Sequence, residues 1–276
     1  RAESDARATL ELFETLREKD QAKKISILGQ RIQNNEHFKD KLQDFQRSLK
    51  VKRGLFYIHD EEGRLLYLGA SDNIKAALNR LFVAQTEQAE KLREESYSVR
   101  GEATGNWLVA RIKRQEEGQA AAPRYNAPKP LQLSHALVAD KRSRDAQWQV
   151  IPLEKLGKRP PLVRLESARA GMRALRLLAQ TKKSRADLRE LLESTPDPLV
   201  LRGRGRKRGE GTAFLVEEGR LVGYRYFSLN EQWSREDQLR RNMTEIQEHR
   251  EHYLELLKLG LVTGDFEPVP QPESAE

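Results

Sequence analysis

Gly54-Leu55-Phe56-Tyr57-Ile58 and Arg64-Leu65-Leu66-Tyr67-Leu68, separated by Asp60-Glu61-Glu62-Gly63, decide how the chain reads. Both runs are rich in aromatic and aliphatic residues, and the acidic Gly-terminated segment between them is a turn signal. Together they predict a β-hairpin. Downstream, residues 71–82 place Ile74, Leu78, Leu81 and Phe82 on one helical face. A polar stretch leads to a short strand over Tyr97 to Arg100, then to a helix around Trp107 to Arg114. Pro123-Arg124-Tyr125-Asn126 closes the unit, and Pro128 and Pro130 mark its boundary.

Working outward, residues 5–19 read as an amphipathic helix carrying Leu10, Phe13 and Leu16, and residues 20–50 as a helical linker. Beyond the boundary, strands are expected at 134–140, 147–152, 198–202 and 212–227, the last split by Glu218-Gly219. Helices are expected at 165–180 and 184–193. Ser234-Arg235-Glu236-Asp237 looks like a capping box opening a helix that bears Leu239, Met243, Ile246, Tyr253 and Leu257. The Pro- and Glu-rich tail after Gly264 reads as disordered. The expected fold class is α/β (α+β). Its segments are 1–19, a linker at 20–50, a small domain at 51–129 with a central antiparallel sheet, a second α+β unit at 130–263, and a tail at 264–276.

Composition narrows the chemistry. Lys and Arg outnumber Asp and Glu by 50 to 42 among 276 residues, with a pI near 9.6, a balance that favours polyanionic partners. The absence of cysteine excludes disulfides, thiolate zinc sites and Cys nucleophiles, and fits a reducing cytoplasm. No apolar run approaches the roughly 20 residues of a membrane helix, so no membrane partner is expected, and no signal peptide is visible. The chain opens at Arg1 inside a helix-like pattern and is read as part of a longer protein.

Gly54-Leu55-Phe56 and Tyr67-Leu68-Gly69 on the hairpin, Ser71, Asn73-Ile74 and Lys75 after it, and the closing Pro123-Arg124-Tyr125-Asn126 resemble the GIY-YIG endonuclease domain in the form found in the excision-repair nuclease UvrC. The resemblance covers roughly residues 51–127 and implies a phosphodiester-cleaving ancestry. It also implies where the catalytic groups should stand, and most are replaced. The first tripeptide's Tyr is Phe56, which has no hydroxyl to assist a water. The helix position expected to present an Arg to the phosphate is Ala77. The metal-binding Glu of the later helix aligns with Arg111 or nearby, and Ala70 stands where a Lys is common. Tyr67 is kept. Arg80 and Glu116 are the residues that could substitute, from displaced positions.

Arg1-Ala2-Glu3-Ser4-Asp5-Ala6-Arg7-Ala8-Thr9 resembles the last motif of the DEDD-type 3′–5′ exonucleases, the epsilon proofreading family. That resemblance implies that Asp5 is a metal ligand in the intact protein, where two Mg or Mn ions clamp the attacking and leaving oxygens. One carboxylate cannot hold such a site, so no metal is expected for this chain alone. The order of elements is similar to bacterial fusions of an epsilon-type exonuclease with a GIY-YIG domain.

A third feature is a basic loop between two expected strands, Arg202-Gly203-Arg204-Gly205-Arg206-Lys207-Arg208, with five cations in seven residues. It reads either as a nucleic-acid contact or as a solvated hairpin loop. Tyr224, Tyr226 and Phe227 nearby could stack bases or pair across strands. His249 and His252, three apart, lack a third ligand and read as surface residues. The expected nucleic-acid contacts are Lys75, Arg202, Arg204, Arg206, Lys207 and Arg208. The functional expectation is a DNA-processing protein of repair or replication. Its partners would be single-stranded DNA or 3′ ends, with a DNA polymerase or repair proteins. The alternatives are a nucleic-acid-binding or polymerase-associated scaffold module, and an endonuclease using displaced residues.

Overall fold

A computed structural model describes residues 38–139, 148–180, 197–231, 239–248 and 250–269. Asp5, the 5–19 helix, the 184–193 helix, the 234–237 capping box and His249 all lie outside them. The chain is a mixed α+β protein with three antiparallel sheets among the described residues, and no helix there is long and apolar enough to cross a membrane.

The first sheet is the hairpin read from sequence plus a third strand. β1 (Gly54–His59) pairs with β2 (Leu65–Ser71) on one side and with β3 (Ser98–Ala103) on the other. Alternation sends Phe56 and Ile58 to one face, where they meet Phe45 and Leu49 from the end of α1 (residues 38–48), and Ile74, Leu78 and Phe82 from α2 (Ile74–Val83). Leu55 and Tyr57 go to the other face with Leu68, covered by α4 (Trp107–Ala121). Asn73 and Asn106 cap α2 and α4 by accepting the backbone N–H of Ala76 and Val109 at 3.1 and 3.0 Å.

The polar stretch after α2 turns out to contain a helix, α3 (Glu87–Glu95), capped by Thr86. Its mean polarity hides the periodicity because the inward residues include Arg93. That side chain is buried and donates to the carbonyls of Phe82 and Ala84, both at 2.8 Å, closing the orphan C-terminal end of α2.

The second sheet joins β4 (His135–Ala139) to β5 (Trp148–Pro152) and β6 (Val163–Leu165). α5 (Ala168–Leu178) and α6 (Arg250–Thr263) cover it, through Leu178 and Val262 in one core with Leu137, Val163 and Leu165. The third sheet runs β10-β9-β8-β7-β11, built from β7 (Leu199–Arg204), β8 (Glu210–Glu217), β9 (Arg220–Ser228), β10 (Thr244–Glu245) and β11 (Glu267–Pro268). Glu218 and Gly219 turn β8 into β9 with φ of +48° and +69°, the left-handed pair a tight hairpin needs.

Two expectations fail in this sheet. The helix expected through Leu239, Met243 and Ile246 is broken at Asn242 (φ +59°). Thr244–Glu245 adds a strand to β9, and Ile246 N–H donates to Val222 O at 2.9 Å. Of the tail expected to be disordered after Gly264, residues 270–276 lie outside the described residues, but its first part buries Phe266 against Phe214 (centroids 5.0 Å apart), and Glu267 and Pro268 pair with β7. Pro268 is tolerated because β11 is an edge strand.

The core beside this sheet also contains Leu108, Val109 and Ile112 of α4, packed with Leu201, Phe214, Tyr253 and Phe266. α4 therefore lies between the first sheet and the third and fixes how they face each other.

Candidate nucleic-acid interface

The two tripeptides of the hairpin form the floor of a cleft. Phe56 lies opposite Gly69 in the β1–β2 register, and a Cβ on residue 69 would stand 2.1 Å from the Phe56 ring. The glycine is needed because the ring rests on it. Tyr67 stacks on the same ring, centroids 5.7 Å apart and planes 23° from parallel. Gly54 has φ +132°, and a Cβ there would stand 2.0 Å from the Glu102 carbonyl oxygen, so only glycine fits the start of β1.

Above this floor is a cavity of about 670 Å³. Ala77 and Arg80 of α2 form one wall. The loop Thr104-Gly105-Asn106 with Trp107, Ala110, Arg111 and Arg114 of α4 forms another. Arg173, Ala174 and Leu177 of α5, with Leu259 and Thr263 of α6, form a roof. The lining carries five arginines, at 53, 80, 111, 114 and 173, against Asp72 and Asp265. Both acids are engaged. Asp72 lies 3.8 Å from Arg173, and Asp265 accepts from Trp107 Nε1 and Thr263 Oγ1, each at 3.1 Å. The cleft is a cationic slot, with the positive end of the α4 dipole opening into it.

A network on the far face of the first sheet holds α4 in register against that face. The Tyr57 hydroxyl lies 2.8 Å from Glu102 Oε2 and 2.6 Å from Glu117 Oε2, and Lys113 bridges the same two carboxylates. Burial, and then Glu117 and Glu102, push the Tyr57 phenol far above its ordinary range, so it stays a donor. Arg111 and Arg114 are thereby aimed at the slot. Arg114 Nε also donates to Leu68 O at 3.1 Å, and Arg111 pairs with Glu166. Burial and the adjacent Arg114 press the Arg111 guanidinium below its ordinary range.

The residues singled out in the hairpin domain now have a place. Tyr67, Phe56 and Ala77 line the cleft where the resemblance puts its chemical groups. Arg80, one turn beyond Ala77, also lines it, so a cation is present from a displaced position. Glu116 does not substitute for the missing acid. It lies on the side of α4 towards Gln247 and Glu248, where burial, with Glu117 and Glu248 nearby, raises its pKa. Lys75 is exposed on α2 and does not line the cleft. On α4 the charged side chains that line the cleft are the guanidinium groups of Arg111 and Arg114, with no carboxylate of that helix among them.

The basic loop, distant in sequence, docks beside the cleft. Asn106 Nδ2 donates to Arg204 O (3.1 Å) and to Thr212 Oγ1 (3.2 Å), and the Tyr226 hydroxyl donates to Thr104 O (3.0 Å). Gly105 (φ +77°) comes so close that a Cβ there would stand 2.4 Å from the Gly205 carbonyl carbon. Between them runs a groove of about 340 Å³ lined by Lys50, Lys52, Arg53, Arg204 and Arg206, and it shares Arg53 and Gly105 with the cleft. The five loop cations are not equivalent. Arg202 pairs with Glu267 at 3.1 Å. Arg206 pairs with Glu210 at 2.6 Å and lies 4.0 Å over the Tyr226 ring. Among the described residues no ion pair holds Arg204, Lys207 or Arg208. Tyr224 and Phe227 are buried in the sheet's cores, which removes them as base-stacking candidates.

Arg53, Arg173 and Trp107 were missed as site residues in the sequence. Only the one-turn spacing of Arg111 and Arg114 hinted at a cationic helix face. Comparison with protein-family models, with curated proteins and with solved structures finds no match for this chain.

Proposed function

We propose that this chain is the DNA-binding part of a DNA-processing protein, and that its hairpin domain is a GIY-YIG-like nuclease domain that has exchanged its catalytic groups for cations. The observation that carries this reading is the cleft itself. Phe56, Tyr67, Ala77 and Arg111 all converge on it, at the places the resemblance would give to a reacting phosphodiester, and the lining is arginine-rich. Arginine is suited to phosphate through its planar fork of donors and its permanent charge. The cleft is built to hold a phosphate backbone without cutting it. The intact protein would supply 3′–5′ exonuclease chemistry from the domain to which Asp5 belongs, using Mg or Mn, and this segment would hold the DNA for it, in repair or replication.

The test is a binding titration and a cleavage assay on this chain, with and without manganese. Binding should survive chelation and weaken steeply with salt. Replacing Arg53 and Arg80 by Ala should lower affinity and reduce the salt slope by about one for each phosphate no longer neutralised. Manganese-dependent cleavage that Tyr67→Phe abolishes would replace this reading with an active endonuclease. Absence of DNA binding at low salt would favour the scaffold reading instead.

A further inference from the structure

Three cation-lined hollows lie side by side. The groove under the basic hairpin shares Arg53 and Gly105 with the cleft. The cleft in turn shares Arg111 and Arg114 with a third hollow of about 600 Å³, whose lining also includes Arg124 and Lys129. We propose that this track holds a single unpaired DNA strand, so that the protein selects single-stranded over duplex DNA. The proposal rests on the reading of the cleft as a DNA-binding site.

Three observations point to one strand rather than two. First, the central compartment is walled from several sides: residues of α2, α4, α5 and α6 line it together with the β1–β2 floor. Second, its volume of about 670 Å³ falls within the roughly 300–1,000 Å³ of pockets that enclose a small molecule, which is the scale of a nucleotide and not of a base-paired duplex. Third, aromatic side chains line the slot among the arginines. Tyr67 rises from the floor and Trp107 from the wall, both half-buried, and Trp107 is backed by Phe266 at 5.9 Å. Cations that follow a backbone, interleaved with rings on which unpaired bases stack, are the features that recognise single strands. A duplex hides its base faces and offers the rings nothing.

The experiment is fluorescence anisotropy of this chain with a labelled oligothymidine strand and with a duplex of the same length, at one fixed salt concentration. The single strand should bind about tenfold more tightly, the scale of one base–aromatic stack. Trp107→Ala should remove about that factor for the single strand. Arg173→Glu changes an exposed roof residue outside the cores, and should weaken the single strand several-fold even if Trp107→Ala proves too disruptive to fold. Equal or tighter duplex binding would overturn the single-strand track while leaving the DNA-binding reading in place. A single-strand preference that Arg173→Glu does not touch would put the strand elsewhere and overturn the track. Binding of neither probe would remove the functional reading beneath it.

Discussion

The first and second sheets share one design and serve different ends. In each, the earliest strand is central, its hairpin partner lies on one side and the third strand on the other, and a capped helix follows. Only the first bears the cleft. In the second, Gly171 lets α5 settle so closely on β5 that a Cβ there would stand 2.5 Å from Val150, and Leu175, Leu178, Leu259 and Val262 fill the space above the strands. In the first, small residues at 69, 70, 77 and 110 and arginines at 53, 80, 111 and 114 leave the space open and charged. Strand order therefore does not make a site; the side chains where sheet meets helix do. The second sheet contributes indirectly, because α5 and α6, which it holds, roof the cleft of the first.

The largest effect should come from breaking the first sheet at its most constrained point. Gly54→Ala sets a side chain against the Glu102 carbonyl at a φ of +132°. It should destabilise the protein by about 3 kcal/mol or more, measured by chemical denaturation. His135→Ala, at the matching start of β4, should cost less than about 1 kcal/mol, because that position is ordinary strand. Equal costs would mean that the two sheets are constrained alike.

Next in size is Gly105→Ala, which forces the α4 entry loop away from the Arg204–Gly205 backbone. A loss of about 1–3 kcal/mol is expected, with DNA affinity falling further than the stability change explains, because the basic hairpin and the cleft are separated. Gly171→Ala meets both Val150 methyl groups instead of backbone and should cost about 1–3 kcal/mol, visible in the denaturation midpoint with DNA affinity almost intact.

The smallest effect concerns the turn that closes the first hairpin. Burial of Asp60 opposes its ionisation, but Arg64 donates to it from Nε at 2.6 Å and from its backbone N–H at 2.7 Å, and these bonds hold its carboxyl below the usual range. A depressed folded pKa stabilises the protein above the unfolded value, near 3.9, and that stability fades as pH falls through the lower folded value. Asp60→Asn should therefore flatten the acid limb of a stability–pH curve below about pH 4. An unchanged acid limb would show that this turn does not contribute.

The hairpin, α2, α4 and the β8–β9 turn were legible from the chain because each is a local pattern: apolar alternation, helical spacing, a cap or a left-handed pair. α3 was not, since its buried face includes Arg93. β10 and β11 were not, since two-residue strands carry no periodicity and exist only because Ile246 and Phe266 are buried by distant residues.

The same division holds for the site. Sequence alone determined the hairpin with its two tripeptides, the identities of Phe56 and Ala77, and the presence of a basic loop. These are identities at fixed local spacing. Tertiary structure alone decided that Arg53, Arg80, Arg111, Arg114 and Arg173 face one slot, that Lys75 does not, and that the loop of residues 202–208 lies against Gly105. Those juxtapositions depend on α4 being held between two sheets, and no spacing along the chain encodes which distant surfaces a shared helix brings together.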